Sequence, residues 1–116
     1  MNESIVIRVL VVDDHFMARI GLTVPIEQQL DMRVVGECPN VAEAVERYRE
    51  LLPDVLTLDY RLPDTDGPSA ARSIRSEFPG ARILVISAVE SEEQVYQAAQ
   101  AGVCGYLSKS VDCAEV

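Results

Sequence analysis

Short apolar runs recur along the chain, and most of them are rich in β-branched residues. The clearest span residues 7–12, 55–58 and 83–86, and weaker ones lie at 33–38 and 103–107. Continuous apolar runs, as opposed to alternating apolar and polar positions, are typical of strands covered on both faces, as in parallel sheets. The pattern therefore predicts five buried strands.

Three segments between these runs carry the signals of helix ends. Asn40 is a candidate N-cap for a helix that runs to about Leu52. Gly67-Pro68 opens a second helix, since proline suits the first helical position. Ser91-Glu92-Glu93-Gln94 forms a capping box for a third helix, which Gly102 ends.

A further helix is expected to start just after Asp14 and to include Met17, Ile20 and Val24. Pro25 is awkward there because a proline inside a helix costs ~3 kcal/mol. We therefore expect a kink or a restart of the helix at that point.

Strands and helices thus alternate as β-α-β-α-β-α-β-α-β, which predicts right-handed crossovers and a doubly wound α/β sheet with helices on both faces. Residues 111–116 leave room for only the first turns of a fifth helix, so we expect that helix to be truncated or incomplete. The length fits one domain over residues 1–116, which we expect to be the N-terminal fragment of a longer protein.

Composition and charge narrow the functional classes. The net charge of −9 argues against general attraction of this segment to nucleic acid. Three cysteines without C-x-x-C spacing argue against a disulfide framework or a zinc site and fit a reducing cytoplasm. Neither a signal peptide nor an apolar run of the ~20 residues that a membrane helix needs is evident.

Polar side chains follow the apolar runs where the predicted strands end. Asp13 and Asp14 follow the first run, Asp59 the third, Ser87 the fourth and Lys109 the fifth. Ligands of open α/β sheets bind at the carboxyl ends of the strands, so these side chains are expected to meet at one edge. Taken singly, each has a plainer explanation as a helix cap, a turn residue or a solvated charge.

Their joint placement favours a site for a cation and an anion. Two carboxylates about 4 Å apart repel by about 4 kcal/mol at an effective dielectric of 20, so three are poorly tolerated without a cation or a proton. Ligation by oxygen alone suits a hard divalent ion such as Mg²⁺. Lys109 adds a positive charge, and a phosphoryl group could then bridge the metal and the lysine.

Four motifs together resemble response-regulator receiver domains over essentially the whole chain. They are Val-Val-Asp-Asp-His at 11–15, Leu-Asp-Tyr-Arg-Leu-Pro-Asp-Thr-Asp-Gly at 58–67, Ile-Ser-Ala at 86–88 and Gly-Tyr-Leu-Ser-Lys at 105–109. The histidine after the acidic pair, with Arg-x-Gly-Leu at 19–22, looks most like the NarL/FixJ-type subgroup. The resemblance implies a flavodoxin-like five-stranded sheet in the order 2-1-3-4-5.

The resemblance also implies roles for individual residues. Asp59 would be the phosphoacceptor. Mg²⁺, with Mn²⁺ as a substitute, would be held by Asp13, Asp14, Asp59 and the backbone carbonyl of Arg61.

After phosphoryl transfer, Ser87, the backbone N–H of Ala88 and Lys109 would bind the phosphoryl group. Ser87 and Tyr106 would form a conformational switch; the plainer alternative is that Tyr106 is a static, half-buried aromatic residue. The implied partners are a sensor histidine kinase, a second copy in a homodimer, and DNA only through a C-terminal helix-turn-helix domain outside this chain. The resemblance implies a cytoplasmic phosphoacceptor with self-phosphorylation and self-dephosphorylation chemistry, not a separate enzyme, and no membrane partner.

Three other functions stay open at this point. A haloacid-dehalogenase-type phosphohydrolase needs a second aspartate two residues after its nucleophile, where this chain has Arg61. A flavodoxin-like cofactor binder needs a phosphate loop after the first strand, where Asp13-Asp14-His15 would repel phosphate. A degenerate receiver that only makes protein contacts would not need the set of acidic residues, Ser87 and Lys109.

Overall fold

Within the part of the chain that the structure describes, five parallel strands form one sheet. The computed structural model describes residues 6–87 and 92–108, with the backbone alone at 16–19, 107 and 108. The strands are β1 (Ile7–Val12), β2 (Met32–Cys38), β3 (Val55–Asp59), β4 (Ile83–Ser87) and β5 (Gly105–Ser108). Their spatial order is β2-β1-β3-β4-β5, as predicted.

Four helices connect these strands over the same described ranges. They are α1 (Phe16–Glu27), α2 (Val41–Leu51), α3 (Gly67–Glu77) and α4 (Glu92–Gln100). None of them has both the length and the apolarity needed to cross a bilayer. The predicted fifth helix over residues 111–116 lies outside the described residues.

The helix ends follow local rules that are visible in the sequence. The Asn40 side chain accepts a hydrogen bond of 2.9 Å from the Glu43 backbone N–H and so caps α2. Asp66 caps α3 in the same way, accepting from the Ser69 N–H at 2.8 Å. Gly102, directly after the last turn of α4, has a φ of +85°, which is a left-handed conformation that glycine adopts without steric cost. Ser91, the predicted cap of α4, lies outside the described residues.

The expected restart of α1 at Pro25 does not occur, because one continuous helix runs through this position. The proline falls in the last turn, where the Gln28 N–H still donates to the Val24 carbonyl at 3.1 Å. Ile20 and Val24 do belong to this helix, but both side chains are exposed. The helix packs on the sheet through Ile26 and Leu22 instead.

The core has two layers because successive side chains of a strand point to opposite faces of the sheet. Leu10 and Val12 of β1 belong to the larger cluster, which α2, α3 and α4 cover. Val9 and Val11 belong to a smaller cluster on the other face, where they pack with Ile26 of α1. The predicted placement of helices on both faces is confirmed.

The strand register brings the polar ends of the strands to one level. Asp59 closes β3 opposite Ile86, one residue before Ser87 closes β4. Asp13 follows β1 directly, and its backbone N–H donates to the Cys38 carbonyl at the end of β2. The carboxyl edge of the sheet therefore collects the side chains that the sequence singled out.

Candidate functional site

Three aspartate side chains meet at the carboxyl edge of the sheet. Asp13 and Asp59 are only 1% and 6% exposed, whereas 31% of the Asp14 side chain is open to solvent. Each of the three, together with His15, offers one ligand atom, and these atoms all lie within 4.8 Å of one another. The structure thus brings together the acidic residues from two strand ends, as predicted.

His15 is a member of this cluster that the sequence reasoning did not single out. Its Nδ1 lies 2.9 Å from Oδ1 of Asp14 and 3.4 Å from Oδ1 of Asp13. Its backbone N–H donates to Oδ1 of Asp13 at 2.9 Å. The sequence signal for this placement is the position of His15 directly after the acidic pair.

The donor set fits a hard divalent cation. Carboxylate charges this close repel each other by about 4 kcal/mol per pair at an effective dielectric of 20. Burial of Asp13 and Asp59 withdraws them from the water that would otherwise screen this repulsion. Mg²⁺ prefers oxygen ligands and keeps several waters, and the partly exposed Asp14 leaves one side of the cluster open to solvent.

The loop after Asp59 is closed on itself by a short antiparallel bridge between Arg61 and Asp66. Two hydrogen bonds hold it, from the Gly67 N–H to the Tyr60 carbonyl at 2.5 Å and from the Leu62 N–H to the Thr65 carbonyl at 3.0 Å. Neither bond uses the Arg61 carbonyl, which sequence reasoning assigned to the metal.

Gly67 allows this loop to lie close to the strand end. A Cβ at this position would stand 3.0 Å from the Cα of Tyr60, so a larger residue would push the loop away. Burial raises the pKa of Tyr60, and the Asp66 carboxylate raises it further, so its phenol is neutral at physiological pH. The residue next to Asp59 therefore adds no charge to the cluster.

Asp64 fastens the same loop to α2. Its two carboxylate oxygens accept from the backbone N–H groups of Val41 and Ala42, each at 3.3 Å. The N-terminus of a helix favours negative charge because its first N–H groups lack partners within the helix. The loop that carries the Arg61 carbonyl is therefore anchored at its tip.

Ser87 and Tyr106 are joined through a side chain that sequence reasoning used only as part of a helix cap. The side-chain carbonyl Oε1 of Gln94 accepts from the Ser87 hydroxyl at 3.2 Å and from the Tyr106 hydroxyl at 2.9 Å. Ser87 is 3% exposed, and the other two residues are half-buried. Ala88 and Lys109, the other predicted phosphoryl-binding residues, lie outside the described residues.

Comparison with known proteins identifies the family. The model of the response regulator receiver domain matches residues 9–116. The chain belongs to this family. Such receivers are part of the response regulators of two-component systems, which signal by phosphorelay. Membership in this family excludes the phosphohydrolase and the flavodoxin-like cofactor binder as functions of this chain.

The relatives of this receiver include regulators of the NarL and LuxR type. It is 36% identical over 110 residues to the response regulator protein VraR of Staphylococcus aureus. The match covers 95% of this chain and 53% of VraR. The receiver domain of NarL from Mycobacterium tuberculosis is 40% identical, with a TM-score of 0.90 over 96% of this chain and 90% of that one.

A LuxR-family response regulator from Aurantimonas is 37% identical, with a TM-score of 0.91 over 95% of this chain and 79% of that one. These similarities support the NarL-type subgroup. The chain spans about half the length of the curated relatives that it matches.

Proposed function

We propose that this receiver takes a phosphoryl group from a sensor histidine kinase onto Asp59, in a reaction that depends on Mg²⁺. The observation that carries the proposal is the buried Asp59 carboxylate at the end of β3, with ligand atoms of Asp13 and Asp14 within 4.8 Å. A carboxylate that only capped a helix or closed a turn would not need two further carboxylates beside it.

Asp13, Asp14, Asp59 and the backbone carbonyl of Arg61 are the groups that would hold the metal. When bound, Mg²⁺ or Mn²⁺ neutralises the carboxylates and the oxygens of the incoming phosphoryl group. The His15 imidazole would orient Asp14 through the contact at 2.9 Å. The closed loop from Tyr60 to Asp66 would keep the Arg61 carbonyl in place.

The covalent step requires little of the protein beyond positioning. One oxygen of Asp59 attacks the phosphorus of the kinase phosphohistidine and forms the O–P bond of an acyl phosphate. The N–P bond breaks, and its electron pair stays on the imidazole of the kinase. Water later attacks the same phosphorus, which restores the carboxylate and releases inorganic phosphate.

After transfer, Ser87, the Ala88 backbone N–H and Lys109 would bind the phosphoryl oxygens. The new group adds ~1.5 to 2 negative charges at neutral pH. Ser87 would move toward it, and Tyr106 would change rotamer in response. This change would bias a two-state equilibrium and reshape the surface formed by α4 and β5.

The relatives support a proposal for the wider role. The chain, residues 1–116, would be the N-terminal receiver of a longer cytoplasmic regulator whose C-terminal helix-turn-helix domain binds DNA. Phosphorylation would control that output domain, with a homodimer as the assembled form. The receiver itself would be a phosphoacceptor and not an enzyme with a separate substrate.

Intact mass after incubation with acetyl phosphate and Mg²⁺ tests the proposal. The parent should gain the mass of one phosphoryl group, and chelation of Mg²⁺ should prevent this. Asp59→Asn should fold normally and gain nothing, because an amide cannot act as the nucleophile. Asp66→Asn is a matched control in the neighbouring loop, since asparagine also caps helices. A parent that never gains the mass would instead be a receiver that only makes protein contacts.

A further inference from the structure

We infer that Gln94 is a positioning residue that holds Ser87 and Tyr106 in the unphosphorylated arrangement and opposes phosphoryl binding. This inference rests on the proposed function, because it concerns how Ser87 becomes available to a phosphoryl group on Asp59. The side chain belongs to the first turn of α4, so it connects that helix to the end of β4 and to β5.

The chemistry of the three groups fixes the direction of both hydrogen bonds. The Gln94 Oε1 atom is a carbonyl oxygen and can only accept. The Ser87 hydroxyl at 3.2 Å and the Tyr106 hydroxyl at 2.9 Å must therefore both donate to it. Each hydroxyl has one proton, and in this arrangement that proton points to Gln94.

A phosphoryl group on Asp59 would compete with Gln94 for the hydroxyl proton of Ser87. Its oxygens carry most of the negative charge at neutral pH and act as hydrogen-bond acceptors. Ser87 cannot donate one proton both to Gln94 and to a phosphoryl oxygen, so the two bonds exclude each other. Phosphoryl binding must therefore break the contact between β4 and α4 that runs from Ser87 to Gln94.

Release of Ser87 also changes the surroundings of Tyr106. The Gln94 oxygen loses the hydrogen bond from Ser87, so the Tyr106 hydroxyl is no longer connected to β4 through that oxygen. Gln94 thus couples the phosphoryl pocket to the half-buried ring of Tyr106 and to α4 in a single residue. Its amide favours the unphosphorylated state.

Gln97, one turn further along α4, provides a matched control. It is also a glutamine of the same helix, but its side-chain amide donates to Glu93 at 2.9 Å on the exposed surface. Replacement by methionine keeps similar length and helix propensity at either position and removes the amide. Only the change at position 94 removes the acceptor that Ser87 and Tyr106 share.

Affinity for beryllofluoride, a phosphoryl mimic, in the presence of Mg²⁺ tests the inference. Gln94→Met should bind it roughly 2- to 10-fold more tightly than the parent, which is the range expected when one net hydrogen bond no longer has to be broken. Gln97→Met should match the parent. Gln94→Glu keeps an acceptor oxygen and should bind no more tightly than the parent.

If Gln94 acts through Ser87, a second result is expected that general destabilisation of the protein by Gln94→Met would not produce. In a Ser87→Ala background, Gln94→Met should no longer change the affinity, because no shared proton is left to release. In the protein without ligand, the ring ¹³C resonances of Tyr106 should shift in Gln94→Met and stay in place in Gln97→Met.

Two results would overturn the inference separately from the proposed function. The first is that the parent and Gln94→Met bind beryllofluoride with equal affinity. The second is that Gln94→Met raises this affinity as much in the Ser87→Ala background as in the parent. A parent that binds no beryllofluoride would refute the proposed function itself, and the inference would fall with it. The Tyr106 resonances in the unliganded protein report on the hydrogen bond in either case.

Discussion

At the scale of single residues, two adjacent aspartates have different surroundings. Asp13 is almost fully buried, and its side chain accepts from the His15 backbone N–H. Asp14 is partly open to solvent and lies against the His15 imidazole. The resemblance to receiver domains implies that Asp14 is the direct ligand of the ion and that Asp13 acts mostly through water. The open side at Asp14 suits an ion that keeps several of its waters.

This difference predicts how the melting temperature responds to Mg²⁺. An ion that binds only the folded state stabilises it by about 1.4 kcal/mol at ten times its Kd, enough to raise the melting temperature by several degrees. Asp14→Ala should lose this rise in melting temperature. Asp31→Ala is the control and should keep it, because Asp31 is exposed and lies directly before β2. An Asp14→Ala protein that still responds fully to Mg²⁺ would remove Asp14 from the site.

At the scale of elements, the apolar runs located β1, β3 and β4 to within one residue of their ends. These strands lie in the interior of the sheet, where burial on both faces leaves an unbroken apolar pattern. The edge strand β5 was predicted two residues too early, because Val103 packs against the core without belonging to the strand. The glycine-interrupted pattern of β5 is weaker, whereas the other edge strand, β2, was also predicted to within one residue of its ends.

The candidate site was predictable from the sequence only in part. Asp13, Asp14, Asp59 and Ser87 stand directly after apolar runs, so the topology alone brings them to one edge. Gln94 was recognised only as part of a capping box. Its contacts to two other strands depend on how α4 packs, and nothing in the local pattern shows them.

The cap of α2 gives a prediction at this scale. Asn40→Ala should lower the free energy of unfolding by about 1 kcal/mol, because the Glu43 N–H loses its acceptor. Asn40→Asp should retain most of the stability, since a carboxylate accepts the same bond and suits the helix N-terminus. Urea unfolding measures both variants, and an Asn40→Ala protein as stable as the parent would show that the cap contributes nothing.

At the scale of the whole molecule, an aromatic contact joins α2 to the residue that directly follows α3, over the larger core cluster. The rings of Tyr48 and Phe78 lie 4.5 Å apart between their centroids. Burial raises the pKa of Tyr48, and the Asp54 carboxylate raises it further. The fold therefore favours the neutral phenol.

Global stability should consequently fall at alkaline pH. In the unfolded chain, Tyr48 ionises near its ordinary pKa of about 10, before it does so in the folded protein. The stabilisation is fully present below that pH and is lost as the pH rises through the folded pKa. Tyr48→Phe should show a shallower loss of unfolding free energy from about pH 9 to 11. Parallel curves for parent and variant would contradict this account.

The central claim is that Asp59 carries the phosphoryl group, and chemical mapping of the modified residue tests it most directly. The parent is treated with acetyl phosphate and Mg²⁺, and borohydride then reduces the acyl phosphate to the alcohol of homoserine. Peptide sequencing by mass spectrometry should find homoserine at position 59 and nowhere else. Homoserine at Asp13, Asp14 or Asp66, with an unmodified Asp59, would contradict the account.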